Sequence, residues 1–404
     1  MTEYEQEQKP EHDTAPAAGG TTGSAPGGSW HVFHATGAAP AGDPPTIPPA
    51  PPWREFLGAP LQPAPADDDL ALHRRLGAHD ARPGLRDEEI DTVNAALLLR
   101  RPLLVSGPPG VGKSTLAYLV ARELGLGRVL QWGIVSRTTL RDGLYEYDSI
   151  GRAQAIAAWR AGADRPAPAV GLPGPPVPET PVPETPVPET PVPETPVPET
   201  PAAPPAAGPR PEPGPYLGDF VTLGPVGTAL LAYARPRVLL IDELDKSDID
   251  LPNDLLHVLE NGSYTVPELV RSALPTVSVF TDDPDGRAEI VGGRVECREF
   301  PLVVITSNGE REFPAAFRRR CLPLEMRPPS REQLVSIVVS HLRSRPEAVD
   351  ALIDDFERRV RTGGTQSVDQ LLNAVHMTTA GGFQADSDGR KLIELLLRDL
   401  AKGR

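Results

Sequence analysis

The chain has 404 residues, a formal net charge of -15, 50 prolines and 37 glycines. Ten prolines fall within residues 40–66 and twenty-one within 166–215; each lacks an N–H and has a fixed φ, so a single uninterrupted domain is excluded. The acidic balance argues against a large nucleic-acid footprint, and two isolated cysteines argue against a disulfide framework or zinc cluster. No run approaches the roughly 18 apolar residues that span a bilayer, so the expected location is the cytoplasm, with no membrane partner.

Residues 1–85 read as a mostly disordered, Pro/Gly-rich region. Two aromatic islands interrupt it, Trp30-His31-Val32-Phe33 and Trp53-Arg54-Glu55-Phe56, and suggest anchors that dock on a folded surface. From Asp87, acids in a first turn followed by apolar residues at helical spacing predict a helix to Leu99. Leu103-Leu104-Val105, a glycine-rich turn and Ser114 to Ala121 predict strand, loop and helix, with Val129 to Trp132 as the next strand.

Val238 to Ile241 and Leu302 to Ile305 are continuous apolar runs, the pattern of parallel strands buried on both faces. Between the strand at Val129 to Trp132 and that at Val238, residues 166–215 hold five copies of Val-Pro-Glu-Thr-Pro from Val177 to Pro201. That segment reads as a disordered, polyproline-like insert in the α/β domain of residues 86–327; a tether and a repeat expansion without a role both remain open. Residues 328–404 predict helices only, near 330–343, 346–360, 367–379 and 388–401, and so a separate helical lid.

Gly107-Pro108-Pro109-Gly110-Val111-Gly112-Lys113-Ser114 fits G-x-x-x-x-G-K-[ST] at every fixed position. The glycines let backbone N–H groups converge on phosphate oxygens, and the following helix, through Thr115, adds its positive end. Lys113 is expected to reach the β- and γ-phosphates and Ser114 to ligate Mg²⁺. Asp242 and Glu243 follow a buried strand, where Asp242 would hold Mg²⁺ and Glu243 would polarise the attacking water. Asn308 ends a third strand and is a candidate to position water or sense the γ-phosphate, against the plainer reading of a turn former. Arg318-Arg319-Arg320 then offers either a solvated face or a charge clamp for a neighbouring subunit.

These motifs, in this order and followed by a helical lid, resemble those of the AAA+ ATPases over about Arg86 to Arg404. The helix Leu251 to Glu260, the segment Gly262 to Leu269 opening a β-rich insertion, and Ile305-Thr306-Ser307-Asn308 resemble the MoxR branch. The resemblance implies a P-loop α/β fold with ATP and Mg²⁺ as cofactors and assembly into a ring, with a hexamer expected. It assigns Lys113 and Ser114 to the first nucleotide motif, Asp242 and Glu243 to the second, and Asn308 to the first sensor. It makes Arg320 the first candidate for the arginine finger, with Arg319 next. At the second sensor, Asp369 stands where relatives carry arginine, with Arg361 as a weak substitute.

More narrowly, the two aromatic islands, Ser136 to Tyr145 and Phe313 to Cys321 are similar to a MoxR-type group thought to work with von Willebrand factor A domain proteins. The implied function is chaperone-like remodelling of a client protein by ATP hydrolysis. The alternatives are a McrB-like motor on DNA, which no basic stripe supports, and a nucleotide-gated scaffold with little turnover, which the complete acid pair opposes. GTP is disfavoured because no Asn-Lys-x-Asp sequence occurs.

Overall fold

The computed structural model describes residues 30–77, 84–163, 214–342, 349–362, 366–379 and 387–397. The first 29 residues and the whole Val-Pro-Glu-Thr-Pro array lie outside the described residues. In chain order come α1 (Asp69–Leu76), α2 (Asp87–Leu99), β1 (Leu103–Ser106), α3 (Lys113–Leu124), β2 (Leu130–Gly133), α4 (Leu140–Leu144), β3 (Tyr145–Tyr147) and α5 (Ser149–Ala163). After the insert follow β4 (Val221–Leu223), α6 (Pro225–Ala229), β5 (Val238–Asp242), α7 (Leu251–Asn261), β6 (Ser263–Thr265) and α8 (Pro267–Val270). β7 (Thr276–Phe280), β8 (Arg287–Val291), β9 (Arg294–Glu296), β10 (Leu302–Ser307), α9 (Ala315–Arg318) and β11 (Leu322–Glu325) complete the α/β part. The lid is α10 (Arg331–Leu342), α11 (Val349–Arg361), α12 (Val368–Thr379) and α13 (Ser387–Leu396).

The central sheet has strand order β11-β1-β10-β5-β2 and every pairing in it is parallel. Its apolar runs alternate between two cores. Val238, Leu240, Leu302 and Val304 pack with α2 and α3, whereas Leu239, Ile241, Val303 and Ile305 pack towards α6, α7 and the second sheet. Cover on both faces is why these strands are apolar without interruption. The second sheet, β3-β4-β7-β8-β9-β6, is antiparallel apart from a single parallel bridge, Thr222 to Phe280. Four of its strands, β6 to β9, fall in the segment expected as a β-rich insertion, while β3 and β4 come from before β5; its inward residues, such as Val277, Val279 and Ile290, are buried. The lid encloses its own core of Leu334, Ile353, Phe356, Leu371 and Val375.

Of the first 85 residues, 30–77 and 84–85 are described. Residues 30–67 form an extended strap laid across the α/β core, and α1 follows it. Proline donates no N–H but keeps its carbonyl, so arginines of the core supply the donors: Arg100 Nη2 to Pro48 O at 2.9 Å and Arg235 Nη1 to Pro45 O at 3.2 Å. Asn94 of α2 accepts from the N–H groups of Val32 (2.7 Å) and Phe33 (2.9 Å) and donates to Phe33 O (2.7 Å). Glu123 of α3 accepts from His34 (2.6 Å) and Thr36 (2.7 Å). Within each island a phenylalanine packs down. Phe33 is fully buried and Phe56 stacks on Phe300 at 6.0 Å, while Trp30 and Trp53 are 50% and 79% exposed.

Candidate nucleotide site

β1 ends at Ser106 and α3 begins at Lys113, so the six-residue turn between them stands at the C-terminal edge of the sheet, where open α/β folds place ligands. Gly107, Gly110 and Gly112 have φ of 148°, 74° and 95°. Gly110 is required twice over: a side chain there is disfavoured at that φ, and its Cβ would stand 2.3 Å from Ser367 of the lid. The lid also touches the turn through Val368 N–H to Gly110 O at 3.4 Å.

Lys113 is buried, and its ammonium donates to Gly107 O (2.9 Å), Pro108 O (2.9 Å) and Asn308 Oδ1 (2.7 Å). Its three donors therefore meet three acceptors. Burial pulls the ammonium below the ordinary lysine range, opposed by the charges of Asp245, Asp242 and Glu243.

Asp242 closes β5. Its Oδ1 accepts from Ser114 Oγ and Thr306 Oγ1, both at 2.7 Å. Its Oδ2 faces Gln131 Nε2 at 3.4 Å, and Gln131 Oε1 accepts from Tyr118 OH at 3.0 Å. The Ser114 hydroxyl and the Asp242 carboxylate are hard oxygen donors within one hydrogen bond of each other, a set that suits Mg²⁺ bound through few protein ligands plus substrate phosphate. The residues fit that ion.

Glu243 sits at φ 62°, a left-handed conformation unfavourable for a side-chain-bearing residue. Thr306 holds the turn, accepting from Glu243 N–H at 2.8 Å while donating to Asp242. The turn sends the Glu243 carboxylate away from β5, to Asn308 Nδ2 at 3.1 Å and Lys246 Nζ at 2.6 Å. Lys246 is thereby raised above the ordinary lysine range, mainly by that hydrogen bond. Asn308 bridges Lys113 and Glu243, and its own N–H is held by buried Asp245 at 2.9 Å.

A cavity of about 460 Å³ joins these groups, lined by Pro109 to Thr115, Asp242, Glu243, Thr306 and Asn308. Gly107 and Pro108 contribute to the site through their carbonyls. Arg319 and Arg320 follow α9 and do not line this cavity. Arg320 pairs with Glu260 and donates to Ala316 O at 3.1 Å; Arg319 donates to Ala315 O at 3.3 Å. Arg361 is exposed and bonded to Glu357 O at 3.4 Å, away from the cavity, whereas Asp369 is part of its wall.

Sequence reasoning assigned no role to Thr306, although it lies in the polar strand end that carries Asn308. It gave no site role to Gln131, Asp245, Arg86, Arg122 or Arg327. Those residues reach the site from other elements, and no local pattern marks them.

The family model for the ATPase family associated with various cellular activities (AAA) matches residues 103–155, which run from β1 through the phosphate turn and α3 into α5. No curated protein matches the chain. No helix among the described residues is long and apolar enough to cross a membrane. The parallel sheet flanked by helices is that of a P-loop AAA+ α/β fold, and the match supports an AAA+ ATPase with nucleotide-dependent activity.

Proposed function

We propose that the protein is a Mg²⁺-dependent, ring-forming ATPase of the MoxR type that remodels a partner protein, with a von Willebrand factor A domain protein as the candidate client. The observation that carries the catalytic part is the continuous hydrogen-bonded chain Ser114–Asp242–Thr306–Glu243–Asn308–Lys113 at the mouth of one cavity. Lys113 leaves the loop carbonyls to pair with nucleotide phosphates, and the turn N–H groups receive their oxygens. Ser114 and Asp242 hold Mg²⁺, which when bound neutralises charge on the β- and γ-phosphates. Glu243 orients the attacking water and takes its proton, and Asn308 keeps that carboxylate aligned with the phosphate.

Arg320, outside its own cavity, is the group offered to the adjoining subunit, with Arg319 next. The test is a set of variants. Lys113→Ala should lose ATP binding. Glu243→Gln should bind ATP but not turn it over. Arg320→Ala mixed with Glu243→Gln should recover activity if sites are shared. Equal loss of binding in the first two variants would overturn the assigned roles, and no recovery in the mixture would remove Arg320 from the shared site. A partner retained by the Glu243→Gln protein in ATP and released in ADP is the expected sign of remodelling.

A further inference from the structure

α5 (Ser149–Ala163) is built almost wholly of alanine, isoleucine and glycine with Trp159, and its only charges are Arg152 and Arg160. A helix this apolar on all sides belongs in an interior. Yet no described side chain of α5 is buried, and Ile150 and Trp159 are 69% and 46% exposed. Gly151, Arg152, Ala155 and Ile156, one face by spacing, are half-buried, and the turn Leu217–Phe220 packs against the helix. Among the described residues the remaining face has no cover. α5 takes no part in the nucleotide cavity, so nucleotide chemistry does not explain it.

The course of the chain points to the occupant. The proline-rich segment begins directly after α5, and the chain is described again at Gly214, where a Cβ would lie 3.9 Å from Trp159 Cε3. Both ends of residues 164–213 are thus held beside the C-terminal part of α5. Residues 164–176 precede the first repeat and can span roughly 40 Å when extended. The helix is about 22 Å long, and one Val-Pro-Glu-Thr-Pro unit as polyproline II covers about 15 Å, so the repeats can turn back along it.

The chemistry agrees with that placement. Two prolines in every five residues leave a backbone short of donors but complete in carbonyl acceptors. Segments of this kind dock on exposed aromatic rings, and α5 presents Trp159 among small alanines with the Arg160 guanidinium beside it. Each repeat carries a glutamate and no base, whereas α5 carries two arginines and no acid. The molecule already binds proline-rich chain in this manner, since Arg235 and Arg100 donate to the carbonyls of Pro45 and Pro48.

We propose that the Val-Pro-Glu-Thr-Pro array docks on the uncovered face of α5, with prolines against Trp159 and glutamates near Arg160. The inference is independent of the nucleotide reading and gives the array a binding surface within its own chain.

Acrylamide quenching of the full chain, less that of its Trp159→Phe variant, reports Trp159 alone. Deleting Val177 to Pro201 should increase that quenching, and a synthetic peptide of five repeats should restore the protection. Replacing the array's five glutamates by lysine in the full chain should likewise uncover Trp159 with no segment removed. A tethered segment acts at millimolar effective concentration, so the peptide should bind the deleted chain with a Kd of about 1 mM or tighter. Trp159→Ala should weaken that binding roughly 10-fold or more at an unchanged melting temperature, and Arg160→Ala should weaken it less. Equal quenching with and without the array, or no peptide binding up to about 10 mM, a tenth of the affinity that tethering requires, would overturn the proposal. Two patterns would overturn it by naming another occupant: protection in both chains that is lost on dilution assigns the face to a second copy, and free quenching in both leaves it to a different protein.

Discussion

The two ends of α3 set the same kind of group, a buried cation, in opposite circumstances. At the phosphate end, Lys113 has three acceptors from its own chain; at the far end, Arg122 has none. A cation satisfied by the protein can exchange its partners for phosphate oxygens at little net desolvation cost. One buried without partners leaves its desolvation cost uncompensated, so it weakens the fold rather than holding it.

The largest break in this contrast comes at the phosphate end. Removing the ammonium in Lys113→Ala should weaken ATP binding by at least about 100-fold, the scale of a lost charge-assisted pair, as read by calorimetry. Arg122→Met removes a buried charge that has no hydrogen-bond partner, so its melting temperature should equal or exceed that of the parent chain; a fall would mean that the guanidinium supports the fold. Thr306→Val tests the support between the two acids. It leaves the Glu243 N–H and one Asp242 oxygen short of a partner, so turnover should fall roughly 10-fold or more with KM for ATP little changed. Thr306→Ser should restore it; a matching loss with serine would mean that the threonine methyl, not the hydroxyl, matters.

Lysine titration sharpens the comparison further. Because burial lowers the Lys113 pKa, its charge is lost as pH rises through a value below the ordinary lysine range. ATP affinity should therefore decline before that range is reached, whereas a profile flat up to it would contradict the assignment. A smaller effect is expected where the strap meets the core. Asn94→Ala removes four hydrogen bonds to backbone groups and should cost about 1–3 kcal/mol of stability in denaturant unfolding. Cys297 and Cys321 provide the control in all these variants. Both are buried with thiols pushed up to about 12, so rapid alkylation at neutral pH would report opening of the fold rather than a local effect.

The strap shows how composition misleads. Proline density reads as disorder because proline removes donors, and that is true of regular hydrogen-bonded structure. It leaves the carbonyls, and Arg100 and Arg235 come from distant positions to donate to them, while Arg54 of the strap itself donates to Arg100 O. Each aromatic island holds both a tryptophan and a phenylalanine that could take the place of an anchor. Phe33 and Phe56 take that place because the core has apolar slots there, and neither carries a polar atom needing a partner.

What the amino-acid order by itself determined is local: the phosphate turn with its glycines, the acids that end β5, the strands without polar interruption, and the amphipathic helices of the lid. Each follows from residue spacing within one element. Tertiary structure alone decided that Thr306 would brace both acids, that Glu123 would accept from the strap, and that Arg122 would be buried without a hydrogen-bond partner. These outcomes depend on which groups from remote segments arrive to satisfy a buried donor or acceptor, and no spacing along the chain records that meeting.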